Sequence, residues 1–149
     1  IILGEVRGSE AETLFIAMDT GHNGCAGTMH CNSAKEMLLR LKSEPMNVPE
    51  SLISLLDLVI VQYRIYIKGK GIQRRVSSVT EITSMDNRAL ISNVYDWDRA
   101  AGKIKRTDVP CNQLEDLSAK AGRTKKEVEQ EMAVRKSILD WMLRNGINS

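Results

Sequence analysis

Residues 1–31 read IILGEVRGSEAETLFIAMDTGHNGCAGTMHC: an apolar run, a charged turn, an amphipathic stretch and a second apolar run in close succession. Ile1, Ile2 and Leu3 fit a fully buried strand. Glu5 follows at once, flanked by Gly4 and by Arg7-Gly8. A carboxylate at the end of a buried strand is costly without a partner, and in open α/β sheets that end is where ligands bind. Ser9 and Glu12 have the spacing of an S-x-x-E capping box. Ala11, Leu14, Phe15 and Met18 then recur at i, i+3, i+4 and i+7, one apolar stripe of a helix that Thr20-Gly21 ends. Past His22 and Gly24, residues 26–29 read as a second buried strand that delivers His30. Two strands flanking one helix make a βαβ unit with Glu5 and His30 at matching ends. A general acid/base pair or a phosphate-sensing pair needs that proximity.

The rest of the chain is punctuated as clearly. Ser33 with Glu36 predicts a capping box for a helix carrying Ala34, Met37, Leu38 and Leu41, and Pro45 stops it. Pro49 suits the first position of a short helix through Leu56. Residues 58–67 are dominated by Val, Ile and Tyr, with a continuous apolar first half as in a buried strand. Lys68-Gly69-Lys70-Gly71 is a hairpin turn. From Ile72 to Asp108 alternating strands follow, separated at Asp86-Asn87 and at residues 98–103, an antiparallel extension that Pro110 breaks. Asn112 with Glu115 opens a helix closed by Gly122. Thr124 with Glu127 starts a longer one, running to about Arg144, with Val128, Met132, Ile138, Leu139 and Met142 on one broad face and Asn145-Gly146 at its end.

Length and composition bound the rest. A chain of 149 residues can bury one sizeable core, and with aromatics at 4% that core must be built from Leu, Ile, Val and Met. A net charge of +2 is too small to argue for nucleic acid. Three cysteines, an odd number without a secretory framework, point to a reducing cytoplasmic setting. The most apolar stretch, residues 52–61, is short and carries Asp57, so it does not span a bilayer.

IILGEVRGSEA, followed by TGHNG and TMHCNS, closely resembles the secretion-motor ATPases of the type II/type IV superfamily, and most of all their archaeal branch. Residues 45–49 and 139–146 extend the likeness, which covers nearly the whole chain, is strongest over residues 1–65 and is specific because both motifs occur in order at this spacing. The resemblance makes the apolar-GE-x-R-G segment a Walker B element and TGH with T-x-H a histidine box; Cys31 stands where the family usually has Ala. It implies an α/β fold, the second half of a RecA-like P-loop ATPase core (residues 1–67), an antiparallel hairpin extension (68–110) and a C-terminal helical part (111–149). It implies an ATP-hydrolysing motor for protein secretion or for assembly of type IV pili or archaeal flagella. The partners implied are five further copies in a homo-hexamer and a membrane platform protein at the inner face of the cell membrane, with no direct nucleic acid contact expected. ATP and Mg are the implied cofactors. Glu5 would polarise the attacking water and support the magnesium ion through water. His30 would sense the terminal phosphate, with Arg7 and His22 as further catalytic candidates and Gly21 and Thr28 beside Glu5 at the nucleotide.

G-x-x-x-x-G-K-[ST] occurs nowhere in the sequence; Lys68-Gly69-Lys70-Gly71 and Gly102-Lys103 lack the spacing and the hydroxyl. The chain also begins within a strand and without an initiating Met. Together these give the expectation of the C-terminal portion of a longer protein, divided between phosphate loop and Walker B.

Each candidate has a plainer reading. Glu5 and Arg7 lie one alternation apart on a strand and could be a structural pair. His30 could be a hydrogen-bonded core histidine, and His22 an exposed turn residue. His22, Cys25, His30 and Cys31 could suggest zinc, but the spacing is not that of a zinc ribbon, and consecutive strand residues such as His30 and Cys31 point to opposite faces. Lys68, Lys70, Arg74 and Arg75 are a basic hairpin, a solvated surface or a contact for lipid headgroups or an acidic partner. A DNA-translocating motor, or a non-catalytic regulatory or assembly module, are the competing functions.

Overall fold

The structure is a computed structural model that describes residues 1–69, 71–86 and 88–147. It is mixed α/β, and its backbone contacts divide it into two compact units, residues 1–110 and 111–149.

The first unit starts with the expected βαβ. β1 (Ile2–Leu3) and β2 (Ala26–Gly27) pair in parallel, Ile2 opposite Ala26 and Leu3 opposite Gly27, with α1 (Glu10–Asp19) between them in sequence. α1 buries Ala11, Leu14 and Phe15 of the predicted stripe, and Met18, its fourth member, is partly buried against the same core. Gly27 is required where the strand meets that helix: a Cβ there would lie 3.0 Å from Val6 Cγ2 and 3.4 Å from Leu14 Cδ2. The second strand stops at Gly27 rather than Met29, yet the backbone pairing runs on irregularly, from Thr28 N–H to the Leu3 carbonyl and from Val6 N–H to the Thr28 carbonyl.

Two local expectations change. Ile1 and Ile2 are not buried; they are 57% and 80% exposed, because the short β1 pairs with β2 alone among the described residues and nothing there covers their side chains. The Ser9–Glu12 capping box does not form. Ser9 is itself in a right-handed helical conformation, which turns its hydroxyl away from the helix N–H groups. Glu10 instead closes the turn before the helix, accepting from Arg7 N–H at 2.6 Å and Gly8 N–H at 2.8 Å.

α2 (Ala34–Lys42) is capped by Ser33, whose hydroxyl accepts from Glu36 N–H at 3.1 Å, and buries Ala34, Met37, Leu38 and Leu41. The Glu36 carboxylate returns to Asn32 N–H instead of Ser33, so the box is displaced by one residue. Residues 45–49 fold back over the core with Met46 and Val48 buried, and Pro49 is the N-cap of α3 (Glu50–Ile53).

β3 (Leu58–Ile67), β4 (Gly71–Met85), β5 (Arg88–Asp98) and β6 (Lys103–Arg106) form one antiparallel sheet in that order. β3 is not buried on both faces as its apolar run suggested. Val59 and Val61 enter the core while Leu58 and Ile60 are 43% and 63% exposed, the alternation of a sheet covered on one side. The core of this unit joins Val6, α1, α2, Ile53, Val59, Val61 and Ile82. Of the basic hairpin, Arg74 lies opposite Arg64 and Arg75 opposite Tyr63; Lys70, like Asn87 of the second turn, falls outside the described residues.

The second unit is a helical hairpin. α4 (Asn112–Ala121) follows Cys111 as N-cap and ends at Gly122, whose φ of +62° is the left-handed conformation such a helix end needs. α5 (Lys125–Arg144) carries the full capping box, Thr124 accepting from Glu127 N–H and the Glu127 carboxylate from Thr124 N–H. Lys125 bridges to Glu115 of α4 at 3.2 Å. Among the described residues no helix is long and apolar enough to cross a membrane.

Candidate functional site

Parallel pairing of β1 with β2 sends both chains out of the sheet at the same end. Glu5 leaves β1 there and His30 leaves β2. His30 Nε2 lies 3.2 Å from Glu5 Oε1. Arg7 Nε donates to the same oxygen at 2.5 Å. That bond, with the charge of Glu5, raises the Arg7 guanidinium above its usual range. Both partners gather on Oε1. The cluster is open: the side chains of Glu5, Arg7 and His30 are 32%, 73% and 86% exposed. Exposed pairs of this kind contribute little to stability, so the surrounding backbone, not the ion pairs, must hold the residues in register.

That backbone is well fixed. Thr28 Oγ1 donates to the Gly4 carbonyl at 2.6 Å, tying the residue before Glu5 to the segment before His30. On the far side of His30, Asn32 gives its backbone N–H and its amide to Glu36 Oε2 at 2.9 and 3.0 Å. Arg40 holds Glu36 from below through Nη2 at 2.7 Å. The bonds from Asn32 and Arg40 lower the Glu36 carboxyl below its usual range. The hydroxyl of Tyr63, from β3, donates to the Asn32 carbonyl. Neither Asn32 nor Tyr63 was a sequence candidate. The capping pattern at Ser33 pointed to the neighbourhood of Asn32, but nothing local marks a contact with a residue as distant as Tyr63.

The remaining candidates are placed differently. His22 Nδ1 lies 3.2 Å from the Ala17 carbonyl and 3.3 Å from Thr20 Oγ1, so its ring closes the C-terminal turn of α1. Gly21 has φ +91°, a turn conformation suited to glycine. Cys25 Sγ donates to the His22 carbonyl at 3.0 Å. The Cys31 thiol is pushed up by burial. Among the described residues no three His, Cys, Asp or Glu side chains converge to hold a metal ion. The single carboxylate of Glu5 fits a hard cation bound largely by water and other oxygen donors, as magnesium is, and not a cage built by this chain alone.

A carboxylate and an imidazole thus lie 3.2 Å apart beyond the ends of adjacent parallel strands in a mixed α/β unit. Residues 1–141 match the Type II/IV secretion system protein family, and the chain belongs to it. It is 34% identical to an uncharacterized protein of Methanocaldococcus jannaschii over 84% of this chain and 18% of that protein. A second uncharacterized protein of the same organism is 38% identical over 65% of this chain and 36% of its own length. The conjugal transfer protein TrbB of Rhizobium radiobacter is 36% identical over 58% of this chain and 27% of its own length. The chain therefore spans 18–36% of the length of these three relatives.

Proposed function

We propose that this chain supplies the water-activating and phosphate-sensing part of an ATP-hydrolysing secretion motor. The observation that carries the reading is the 3.2 Å contact between His30 and Glu5 at adjoining strand ends. Phosphoryl transfer needs mainly positioning and electrostatic stabilisation. Glu5 polarises the attacking water, and Arg7 orients the carboxylate. Bound magnesium, met by Glu5 through water, would neutralise charge on the phosphates. Thr28, bonded to the Gly4 carbonyl, lies on the nucleotide side of the strand ends, while Gly21 and His22 close the end of α1 at the entry to β2 and act only through that turn. No G-x-x-x-x-G-K-[ST] loop occurs in these 149 residues, so the grip on the phosphates comes from outside them.

His30 acts as a donor that changes partner. Its Nε2 lies beside Glu5 Oε1 here, and an Nε2–H is the group it can offer a phosphate oxygen. A move of His30 from Glu5 to the terminal phosphate removes one of the two neighbours of Oε1 and leaves the carboxylate, still oriented by Arg7, to accept from water, coupling nucleotide occupancy to activation of the base.

Family membership supports a machine that exports or assembles protein: a homo-hexamer at the inner face of the membrane, docked on a platform protein and powering secretion or a pilus or flagellar filament. The name of the Rhizobium radiobacter relative favours a second reading, a motor in conjugal transfer. Steady-state ATP hydrolysis by the protein that contains this chain, with and without His30→Ala, tests the proposal. A rate that depends on magnesium and falls on the order of 100-fold in the variant is expected; no hydrolysis by the parent protein would refute it.

A further inference from the structure

We propose that Tyr63 is a positioning residue for His30: its hydroxyl, donated to the Asn32 carbonyl, ties the histidine-bearing loop to the antiparallel sheet and so sets the imidazole against Glu5. The proposal rests on the functional reading above and names a residue that reading does not use.

Three observations meet at this contact. First, the His30 side chain is 86% exposed, so packing does not hold it; where its ring lies is decided by where residues 29–32 lie. Second, that segment lies beyond the last β-ladder pair, Leu3 opposite Gly27, and before α2, which starts at Ala34. Met29 and Cys31 pack partly against the core, and the Asn32 end of the segment is tied in addition by the Asn32–Glu36 bonds on one side and by Tyr63 on the other. Third, the Tyr63–Asn32 contact is a strut between two solvent-open cavities. One, of about 520 Å³, continues towards Ser33, Asp96 and Arg99. The other, of about 560 Å³, contains His30, Arg40 and Arg64. Both are lined by Asn32, Tyr63 and Ile65. With open space on either side of Asn32, the packing of Met29 and Cys31 is the other restraint on the segment, and the tyrosine bond acts at its far end.

β3 is a sound anchor for such a strut. It is paired with β4 over its whole length, with Tyr63 opposite Arg75, and Val59 and Val61 of the same strand are buried in the core. The Glu36 bonds alone fix Asn32 relative to α2. The tyrosine adds a fixed point on a different element, and two fixed points restrain the segment's rotation as well as its distance. A loss of about one ångström in the placement of a catalytic donor is enough to cost hydrolysis on the order of 100-fold.

The test uses the protein that contains this chain and the variant Tyr63→Phe, which keeps the ring and removes the donor. Hydrogen exchange read over residues 29–33 should speed up about tenfold in the variant, with the β3–β4 ladder unchanged. Unchanged exchange over 29–33 would overturn the tether, and faster exchange of the ladder as well would assign Tyr63 to the stability of the sheet instead. Hydrolysis should lose about tenfold in kcat with KM within about twofold. In a His30→Ala background, Tyr63→Phe should cost nothing further, since a residue acting through His30 has nothing left to position. Multiplying losses in the double variant would overturn the proposal. If the parent protein hydrolyses no ATP, the functional reading fails, and the exchange measurement still decides the tether.

Discussion

His30 Nε2 and Glu5 Oε1 are 3.2 Å apart although one residue follows β2 and the other follows β1. The parallel register Ile2–Ala26 and Leu3–Gly27 produces that meeting. Each side chain leaves its strand at the same end, and Thr28 Oγ1 closes the gap between the strands at the Gly4 carbonyl. The pair is open to solvent and contributes little to holding the fold.

His30→Ala should therefore separate activity from stability. Hydrolysis should fall on the order of 100-fold while the melting temperature stays within about 2 °C of the parent. Calorimetry and a rate assay on the same sample check both. A clearly lower melting temperature with an unchanged rate per folded molecule would make His30 a structural residue.

Gly27→Val tests the packing beneath the site. A Cβ at this position would lie 3.0 Å from Val6 Cγ2 and 3.4 Å from Leu14 Cδ2 of α1. The added methyl groups would push the strand from the helix, a cost of about 1–3 kcal/mol typical of overpacking. Urea titration of the variant should show a lower midpoint with an unchanged slope.

The entry to α1 gives a paired comparison. Glu10 accepts from the N–H groups of Arg7 and Gly8, and those bonds lower its carboxyl below the usual range. Ser9 makes no capping bond. Glu10→Ala should lower the melting temperature and Ser9→Ala should leave it almost unchanged, the reverse of the order an S-x-x-E capping box would give.

Much of this architecture is legible in the sequence because it is local. The capping box at Thr124 and Glu127, the stripe Ala34, Met37, Leu38 and Leu41, and the Gly122 helix stop each lie within a few residues of the groups they satisfy. The hairpins from β3 to β6 join strands that are sequence neighbours, so their order follows from the turns. The Glu5–His30 meeting is legible because two short strands around one helix have a single common arrangement. At Ser9 the reading failed because Glu10 and Glu12 both lie within reach of the helix start, and the spacing rule selects Glu12 without regard to the backbone conformation of Ser9. Tyr63 was invisible for a different reason. Its partner is a backbone carbonyl on a distant loop, which leaves no residue-type signature.

Asp98 supplies a pH test on the antiparallel sheet. Its carboxyl is lowered from 3.8 to about 2, first by Lys105 and then by the N–H groups of Ala101 and Ala100. A group whose pKa is depressed by folding adds stability above its unfolded pKa and loses it as pH falls through the folded value. The β5–β6 turn should thus hold together at pH 5 and loosen between about pH 4 and pH 2. Amide shifts of Ala100 and Ala101 followed through that range report it, and Asp98→Asn should abolish the transition.

Glu5→Gln is the most direct test of the account. The substitution keeps the shape of the side chain and its contact with Arg7's neighbourhood, and removes the charge that orients water. In the protein that contains this chain, ATP binding and hydrolysis should be measured on the same preparation. The account predicts binding within a few-fold of the parent and hydrolysis reduced on the order of 100-fold or more. Hydrolysis at the parent's rate would contradict it and return Glu5 to the role of a structural partner for Arg7.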